Sequence, residues 1–287
     1  SEKEMLALIL ETARGDERVR AVILNGSRAN PNAPRDFFQD YDIVYVVTDV
    51  ASFKSEPDWI NCFGERMVLQ LPDDMGDPPP DPASASYAYL MQFMDGTRID
   101  LTLYPADRFA ARPKDSESVL LLDKDGIIGP LAPASDRDYI VQPPTQKQFD
   151  DCCNEFWWVC SYVAKGLWRG EIVYAKSMLE IVREQLGKML NWHIGIRTEF
   201  QVNPGKYGKY FERYLEREKW EMLMRTYADA EYENSWRALF AMGDLFRAVG
   251  VPVAEHFGYA YPRGEDERVT AHLRHVRSLP KDAAEMY

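Results

Sequence analysis

Near the start of the chain, a Gly-Ser-Arg sequence could contact a phosphate group. Gly26 and Ser27 follow an apolar run rich in β-branched residues, so they stand where a predicted strand ends. Glycine has no Cβ and lets the backbone approach a phosphate closely, while a serine hydroxyl can donate to a phosphate oxygen. Arg28 adds a positive charge beside them. The three residues therefore predict a phosphate-binding turn.

Two aspartates follow about a dozen residues later, and a third lies on a later predicted strand. Asp40 and Asp42 stand at the start of an apolar strand over 41–47, where the period of two puts both carboxylates on one face. Asp100 shares the polar face of a strand over 97–104. Carboxylate oxygens are ligands that Mg²⁺ prefers. If the two strands are neighbours, the three carboxylates converge, and two metals could clamp an in-line displacement at phosphorus.

Each part of this pattern has an ordinary structural explanation when it is taken alone. A Gly-Ser pair is most often a strand-to-loop turn, and two aspartates at a strand start are often a solvated edge. The ordered combination of strand, Gly-Ser, Asp-x-Asp, apolar strand and later strand aspartate favours a functional site.

The charge balance restricts the class of partner. The 287 residues carry 34 Lys and Arg against 46 Asp and Glu, a net charge of −12, whereas a nucleic-acid backbone binder needs a cationic surface. We therefore expect no nucleic-acid partner. The acidic excess is concentrated before Pro143, where the net charge is −11. A solvated acidic face, a metal site or a cationic ligand would each account for it.

The composition favours a globular protein of a reducing compartment. Hydrophobic residues make up 46% of the chain, but no run reaches the roughly 18–20 apolar residues of a membrane span. The four cysteines include no C-x-x-C pair, and the adjacent Cys152 and Cys153 are poorly placed to bridge each other. We expect a cytoplasmic protein without a membrane partner, either a monomer or a weak homodimer.

The first half of the chain is predicted to be rich in strands. A short amphipathic helix over 2–14 opens it, and Asp95-Gly96 is a strong hairpin signal between two strands. The predicted strands cover 19–24, 41–47, 66–70, 87–94 and 97–104. The Pro-rich segment 72–86 is predicted to be a loop.

The second half is predicted to be helical, because apolar residues there recur at spacings of three and four. The predicted helices cover 146–169, 171–193, 207–228 and 231–249, and a further helix lies near the C-terminus. Pro143 and Pro144 end the segment 133–145, which is the predicted linker. We therefore divide the chain into domains 1–140 and 141–287.

The order of Gly-Ser, Asp-x-Asp and a later strand aspartate resembles the signature of the nucleotidyltransferase superfamily. Four segments are similar to the aminoglycoside 6-adenylyltransferases, the streptomycin-modifying enzymes: GSRANPNAPRDFFQDYDIVYVV, RIDLTLYP, DDCCNEFWWVCSYVAKGLWRGEI and FRAVGVPVAEHFGYAYP. The likeness covers nearly the whole chain. It implies an α+β fold, with a mixed β-sheet and flanking helices in a catalytic N-terminal domain and an all-α helical bundle that binds substrate.

The resemblance implies ATP as cosubstrate, Mg²⁺ as metal and streptomycin as the acceptor of AMP, with pyrophosphate as the second product. It matches Gly26 and Ser27 to the phosphate loop, with Arg28 as a triphosphate contact. Asp40 and Asp42 match the metal-binding pair. The resemblance makes Asp100 the third carboxylate of the metal site and the base that takes the proton from the attacking hydroxyl.

Further candidates lie in the helical half. Streptomycin carries guanidinium groups, which aromatic faces and carboxylates bind, so one of Trp157 or Trp158 with Glu155 or Asp151 is predicted to contact the drug. An aromatic cluster at helical spacing is also typical of a core. Another pair, Lys206 and Lys209, could reach the β- and γ-phosphates of ATP, although surface lysines are common.

Two other functions remain open from the sequence. One is a nucleotidyltransferase that acts on another small hydroxylated metabolite or on a protein. The other is a non-catalytic relative that binds ATP or another ligand.

Overall fold

The computed structural model describes residues 1–79, 86–112 and 114–287, and it divides into two compact units. The first unit is Ser1–Asp138 and the second is Tyr139–Tyr287, so the division falls two residues before the predicted boundary. A mixed sheet fills the first unit and helices fill the second. The predicted α+β fold class is confirmed.

In the described part of the first unit, six strands form one sheet: β1 (Val19–Asn25), β2 (Tyr41–Val47), β3 (Arg66–Gln70), β4 (Tyr87–Phe93), β5 (Arg98–Pro105) and β6 (Ser118–Asp123). The strand order is β3-β4-β5-β2-β1-β6. The β2–β5 pair is parallel and the other neighbours are antiparallel. Strand β6 was not predicted, because the run VLLL shows no alternation and lies at a half-exposed sheet edge.

The hydrophobic core of this unit lies between one face of the sheet and helix α1 (Glu2–Gly15). On β5, Ile99 and Leu101 are fully buried in this core, and Asp100 between them points to the other face. The buried Tyr45 donates from its hydroxyl to the carbonyl oxygen of Ile9 at 2.6 Å and ties the helix to the sheet. The alternation of β5 thus fixes the face on which its carboxylate lies.

Three short helices connect these strands: α2 (Gly26–Ala29), α3 (Val50–Lys54) and α4 (Ala106–Phe109). A 3₁₀ turn, Pro72–Asp74, opens the segment predicted to be a loop. The rest of that prediction falls partly on 80–85, which lies outside the described residues.

The second unit contains α5 (Gln146–Arg169), α6 (Ile172–Arg197), α7 (Phe211–Tyr214), α8 (Arg217–Met224), α9 (Tyr232–Phe257) and α10 (Arg263–Ser278). A capping box at Thr145 starts α5, and Gly170 in the left-handed region ends it. Phe156 of α5 and Phe246 of α9 stack with their ring centroids 3.8 Å apart in the core. These helices therefore pack around one apolar centre.

Three helix predictions in this unit are wrong in their extent. The helix predicted over 171–193 continues to Arg197. The helix predicted over 207–228 is broken, because Leu215 is extended at φ −77° and ψ 150° and separates α7 from α8. The helix predicted to end at 249 continues through Pro252 to Phe257, because Val253 and Ala254 are buried in the core. Tertiary packing here outweighs the local preference of proline.

All four cysteines are free thiols, and three of them are buried. Within the described residues, no helix has the length and apolar character needed to cross a bilayer.

Candidate active site

The sheet brings two of the predicted carboxylates side by side. Asp42 of β2 pairs in register with Asp100 of the parallel neighbour β5, and with Asn25 of β1 on its other side. Adjacent strands lie about 4.8 Å apart. The two aspartates therefore face the same space beside the turn that follows Asn25.

Gly26 begins that turn and closely approaches Asp42. Its φ is +69°, in the left-handed region that favours glycine, and its N–H donates to the carbonyl oxygen of Glu117 at 3.0 Å. A Cβ at this position would collide with Oδ2 of Asp42. Only glycine can therefore take this conformation with the Asp42 carboxylate in place.

Ser27 follows in the turn and is half-buried. The Gln39 side-chain amide donates to the Ser27 carbonyl oxygen at 3.1 Å and to its hydroxyl oxygen at 3.3 Å. As acceptor in that contact, the hydroxyl keeps its own hydrogen for donation to a ligand oxygen. The arrangement suits the predicted phosphate contact.

All three guanidinium nitrogens of Arg28 are engaged within its own unit. Nε donates to the Asp40 carbonyl oxygen at 3.1 Å, Nη2 donates to the Gln39 carbonyl oxygen at 2.7 Å, and Nη1 lies 3.1 Å from a Glu2 carboxylate oxygen. The guanidinium also stacks over the Tyr41 ring at 3.8 Å. These contacts hold the segment that carries Asp40, and the triphosphate contact that the resemblance implies for Arg28 stays a prediction.

The site includes a cation that sequence analysis did not single out. Arg98 binds Asp100 with two hydrogen bonds, from Nε at 2.8 Å and from Nη2 at 2.7 Å, and its Nε lies 3.6 Å from Asp40 Oδ2. The signal was present, because residues two apart on a strand share a face. Arg98 thus offsets part of the negative charge of the three aspartates.

The pKa values of two carboxyl groups, those of Asp40 and Asp42, are raised despite that cation. Burial, followed by the nearby charges of Asp100 and Asp40, raises the pKa of Asp42 to about 6. Burial is also the main cause that raises the pKa of Asp40, and Arg98 opposes it. The site therefore concentrates negative charge where a bound cation would relieve it.

The aspartate carboxylates of the site suit Mg²⁺ only if other ligands complete its shell. Among the residues that the structure describes, no three carboxylate, imidazole or thiolate groups lie close enough together to hold a metal by themselves. Mg²⁺ usually takes one or two carboxylates and completes its shell with phosphate oxygens and waters. Neighbouring carboxylates beside a phosphate-type turn fit that requirement.

Two side-chain hydrogen bonds tie the Gly26–Ala29 turn to β6 and to Glu117, the residue before β6. The buried Asn30 side chain donates to a Glu117 carboxylate oxygen at 2.6 Å, and the Ser118 hydroxyl donates to the Asn25 side chain at 2.8 Å. Neither contact was predicted, because the β6 strand itself was missed. These bonds fasten both ends of the turn to the sheet.

The predicted drug contacts on α5 separate into two faces. Asp151, Glu155 and Trp158 lie on an exposed face, at spacings of four and three. The Trp158 side chain is 59% exposed, and its indole donates to the Tyr162 hydroxyl at 2.8 Å. Trp157 instead lies in the core at 2% exposure, so Trp158 is the member of the pair that a ligand on this face can contact.

Lys206 and Lys209 lie on an exposed segment of the helical unit. They flank Tyr207, whose side chain is 97% exposed. Their predicted contact with ATP phosphates stays a prediction.

A mixed sheet that sets a Gly-Ser turn against in-register aspartates defines a nucleotidyltransferase, and the chain is an enzyme of this class. The family model of streptomycin adenylyltransferase matches residues 1–276. The chain belongs to this family.

Named relatives are similar over nearly their whole length. An aminoglycoside 6-adenylyltransferase of Bacillus subtilis (strain 168) is 44% identical over 281 residues, covering 96% of this chain and 98% of the relative. One from Campylobacter jejuni is 44% identical over 276 residues, covering 95% and 94%. The crystal structure of an aminoglycoside 6-adenyltransferase from Bacillus subtilis matches 97% of this chain and 99% of that one at 40% identity, with a TM-score of 0.48.

Proposed function

We propose that this enzyme transfers AMP from ATP to a hydroxyl group on the streptidine ring of streptomycin and releases pyrophosphate. The observation that carries the proposal is the register of Asp42 and Asp100 next to Gly26 and Ser27. Family membership and the named aminoglycoside relatives support the choice of acceptor. Such a reaction uses cellular ATP, so we place the enzyme in the cytoplasm.

Asp40 and Asp42 would hold Mg²⁺, and phosphate oxygens and waters would complete its shell. When bound, the metal neutralises charge on the phosphate oxygens and on the departing pyrophosphate. The raised pKa values of Asp40 and Asp42 support this assignment, because both record negative charges held close together in a partly buried place.

The Gly26–Ser27 turn binds phosphate, and Asp100 takes the proton. Ser27 donates its hydroxyl hydrogen to an ATP phosphate oxygen, and Gly26 keeps the space between that turn and Asp42 free of a side chain. Asp100 accepts the proton of the attacking hydroxyl, because an alcohol is a poor nucleophile. The two bonds from Arg98 fix the carboxylate plane of Asp100. Most of the catalysis is therefore positioning and electrostatics.

The substrate contacts of the helical unit are proposed on chemical grounds. The exposed face of α5 combines two carboxylates with the Trp158 ring, a set that suits the guanidinium groups of streptomycin. Asp151 already pairs with Lys147 at 2.7 Å, so Glu155 offers the carboxylate with fewer competing contacts. Lys206 and Lys209 are the proposed contacts for the β- and γ-phosphates.

The direct test is a turnover assay with the purified protein, labelled ATP, Mg²⁺ and streptomycin. We expect pyrophosphate release and adenylated drug, both dependent on streptomycin and abolished by a chelator. A panel of aminoglycosides in the same assay identifies the acceptor. Turnover with a different small hydroxylated compound or with a protein would replace streptomycin in the proposal. ATP binding without turnover on any acceptor would indicate a non-catalytic relative.

A further inference from the structure

The helical unit contains a groove of about 760 Å³ that is lined by arginines. Five of them contribute: Arg225, Arg237, Arg247, Arg274 and Arg277. We call it the arginine groove. Its volume is in the range of small-molecule sites. None of the residues predicted to bind ATP or Mg²⁺ lines it.

Most of the groove is built from one face of α9 and one face of α10, and Arg225 joins it from the C-terminal end of α8. Arg237, Asp244 and Arg247 recur on α9 at helical spacing, and Arg274 and Arg277 do so on α10. Arg274 and Arg277 are like charges three residues apart on α10 and repel each other, whereas Asp244 and Arg247 on α9 attract each other. Such faces normally turn to solvent, but here both line the same concavity.

Acidic neighbours compensate only part of this charge. Glu233 pairs with Arg277 and lies 3.7 Å from Arg237, so it is shared between two arginines. Arg247 binds the buried Asp266 at 2.7 Å and lies 3.1 Å from Asp244. Within the described part of the chain, the five guanidinium groups of the groove are thus paired with only three carboxylates, which leaves two positive charges without a partner.

The uncompensated charge belongs to two particular residues. Among the described residues, none forms a hydrogen bond or an ion pair with the side chain of Arg225 or Arg274. Much of the remaining lining is apolar or small: Leu239, Phe240, Ala241, Gly243 and Leu273. Both unpaired arginines are exposed at this concavity, so an anion can reach them from solvent. Guanidinium groups also match the geometry of phosphate oxygens.

We propose that the arginine groove binds a compact oligophosphate, either free pyrophosphate or the triphosphate of a nucleotide. A cationic aminoglycoside would be repelled from it. A long nucleic acid needs an extended cationic surface, whereas this chain has a net charge of −12. The inference goes beyond the proposed reaction and does not depend on it.

The test is calorimetric titration of the full chain with pyrophosphate in a chelating buffer, which removes metal-dependent binding elsewhere. We expect binding that weakens about tenfold or more in the double variant Arg225→Glu with Arg274→Glu. The matched control is Arg217→Glu with Arg268→Glu. It changes the net charge equally, on α8 and α10, at exposed arginines that do not line the groove. The control should stay within about threefold of the unaltered protein.

Further titrants identify the source of the phosphates. ATP should bind as pyrophosphate does and adenosine should not, and tighter binding of ATP would identify a nucleotide as the ligand. Circular dichroism checks that both double variants fold. Equal weakening in both double variants, or no pyrophosphate binding by the unaltered protein, would overturn the proposal. So would an oligonucleotide that binds the groove more tightly than pyrophosphate. The turnover assay is a separate measurement. If AMP transfer fails, the pyrophosphate titration still tests whether the arginine groove binds phosphates.

Discussion

Asp42 and Asp100 lie directly opposite each other on the parallel strands β2 and β5, although they are far apart in the chain. Two carboxylates so placed repel each other, and Arg98 relieves only part of that repulsion by binding Asp100. The sheet thus holds a local arrangement that is unfavourable by itself. This is common where residues are placed for binding or catalysis.

The first prediction concerns pH and Asp42. Its pKa is about 6 in the folded protein against an ordinary value of 3.8, so the folded state binds this proton more tightly than the unfolded state. Stability therefore falls as pH rises from about 4 to about 6, and the loss is complete above that range. Asp42→Asn should raise the free energy of unfolding by on the order of 1–3 kcal/mol at pH 8 and by much less at pH 4.5.

Urea unfolding at the two pH values, in a chelating buffer, measures this difference. Glu11→Gln is the matched control, because Glu11 is an exposed acid on α1 far from the three aspartates in the chain. A gain from Asp42→Asn that is the same at both pH values would contradict the assigned cause.

The second prediction separates two costs at Gly26. Gly26→Ala meets both a positive φ and the collision with Asp42, whereas Gly96→Ala meets only a positive φ of +86°. We expect Gly96→Ala to cost about 1 kcal/mol and to keep AMP transfer. Gly26→Ala should cost about 2 kcal/mol or more and reduce AMP transfer by at least tenfold, because it displaces the Asp42 carboxylate. Equal effects in thermal unfolding and turnover would count against the collision.

The third prediction decides between two roles of Arg28. If its contacts to the Gln39 and Asp40 carbonyls position the aspartate segment, Arg28→Lys should lower stability by about 1–3 kcal/mol, because lysine cannot make both bonds. The control Arg35→Lys lies in the exposed connection that follows α2 and should be neutral. An unchanged melting temperature with a raised KM for ATP would instead favour the triphosphate contact predicted from the sequence.

The fourth prediction compares two adjacent tryptophans. Trp157→Ala should cost about 3–5 kcal/mol, because the side chain packs edge to face against Phe156 and Phe246 in the core. Trp158→Ala should change the free energy of unfolding by less than about 1 kcal/mol. It should raise the KM for streptomycin about fivefold, because one cation–π contact with the drug is lost. An unchanged KM in Trp158→Ala would remove this residue from the proposed drug contacts.

The fifth prediction tests Asp100 as the base. Asp100→Asn should lower kcat by at least about 100-fold while ATP binding, followed by calorimetry, stays within a few fold. Asp95→Asn is the control, since Asp95 is an exposed turn residue of the β4–β5 hairpin. Normal turnover by the Asp100→Asn variant would assign the proton transfer elsewhere.

The sequence by itself determined the local features of the site. The alternation around Asp100 and the face of Asp42 on β2 follow from the strand period of two, and Asp95-Gly96 specified the hairpin that precedes β5, whereas Asp40 lies one residue before β2. These features depend on residues close together in the chain. Local periodicity was therefore enough to predict them.

The tertiary structure alone decided which residues meet. The register that sets Asp42 beside Asp100 depends on hydrogen bonds between distant segments, and the inward turn of Arg28 depends on carbonyl groups of the following segment. Trp157 and Trp158 differ by about 100° around their helix, so the surrounding helices decide which of them is buried. Strand order, register and burial are long-range properties of packing, and no local pattern of residue types specifies them.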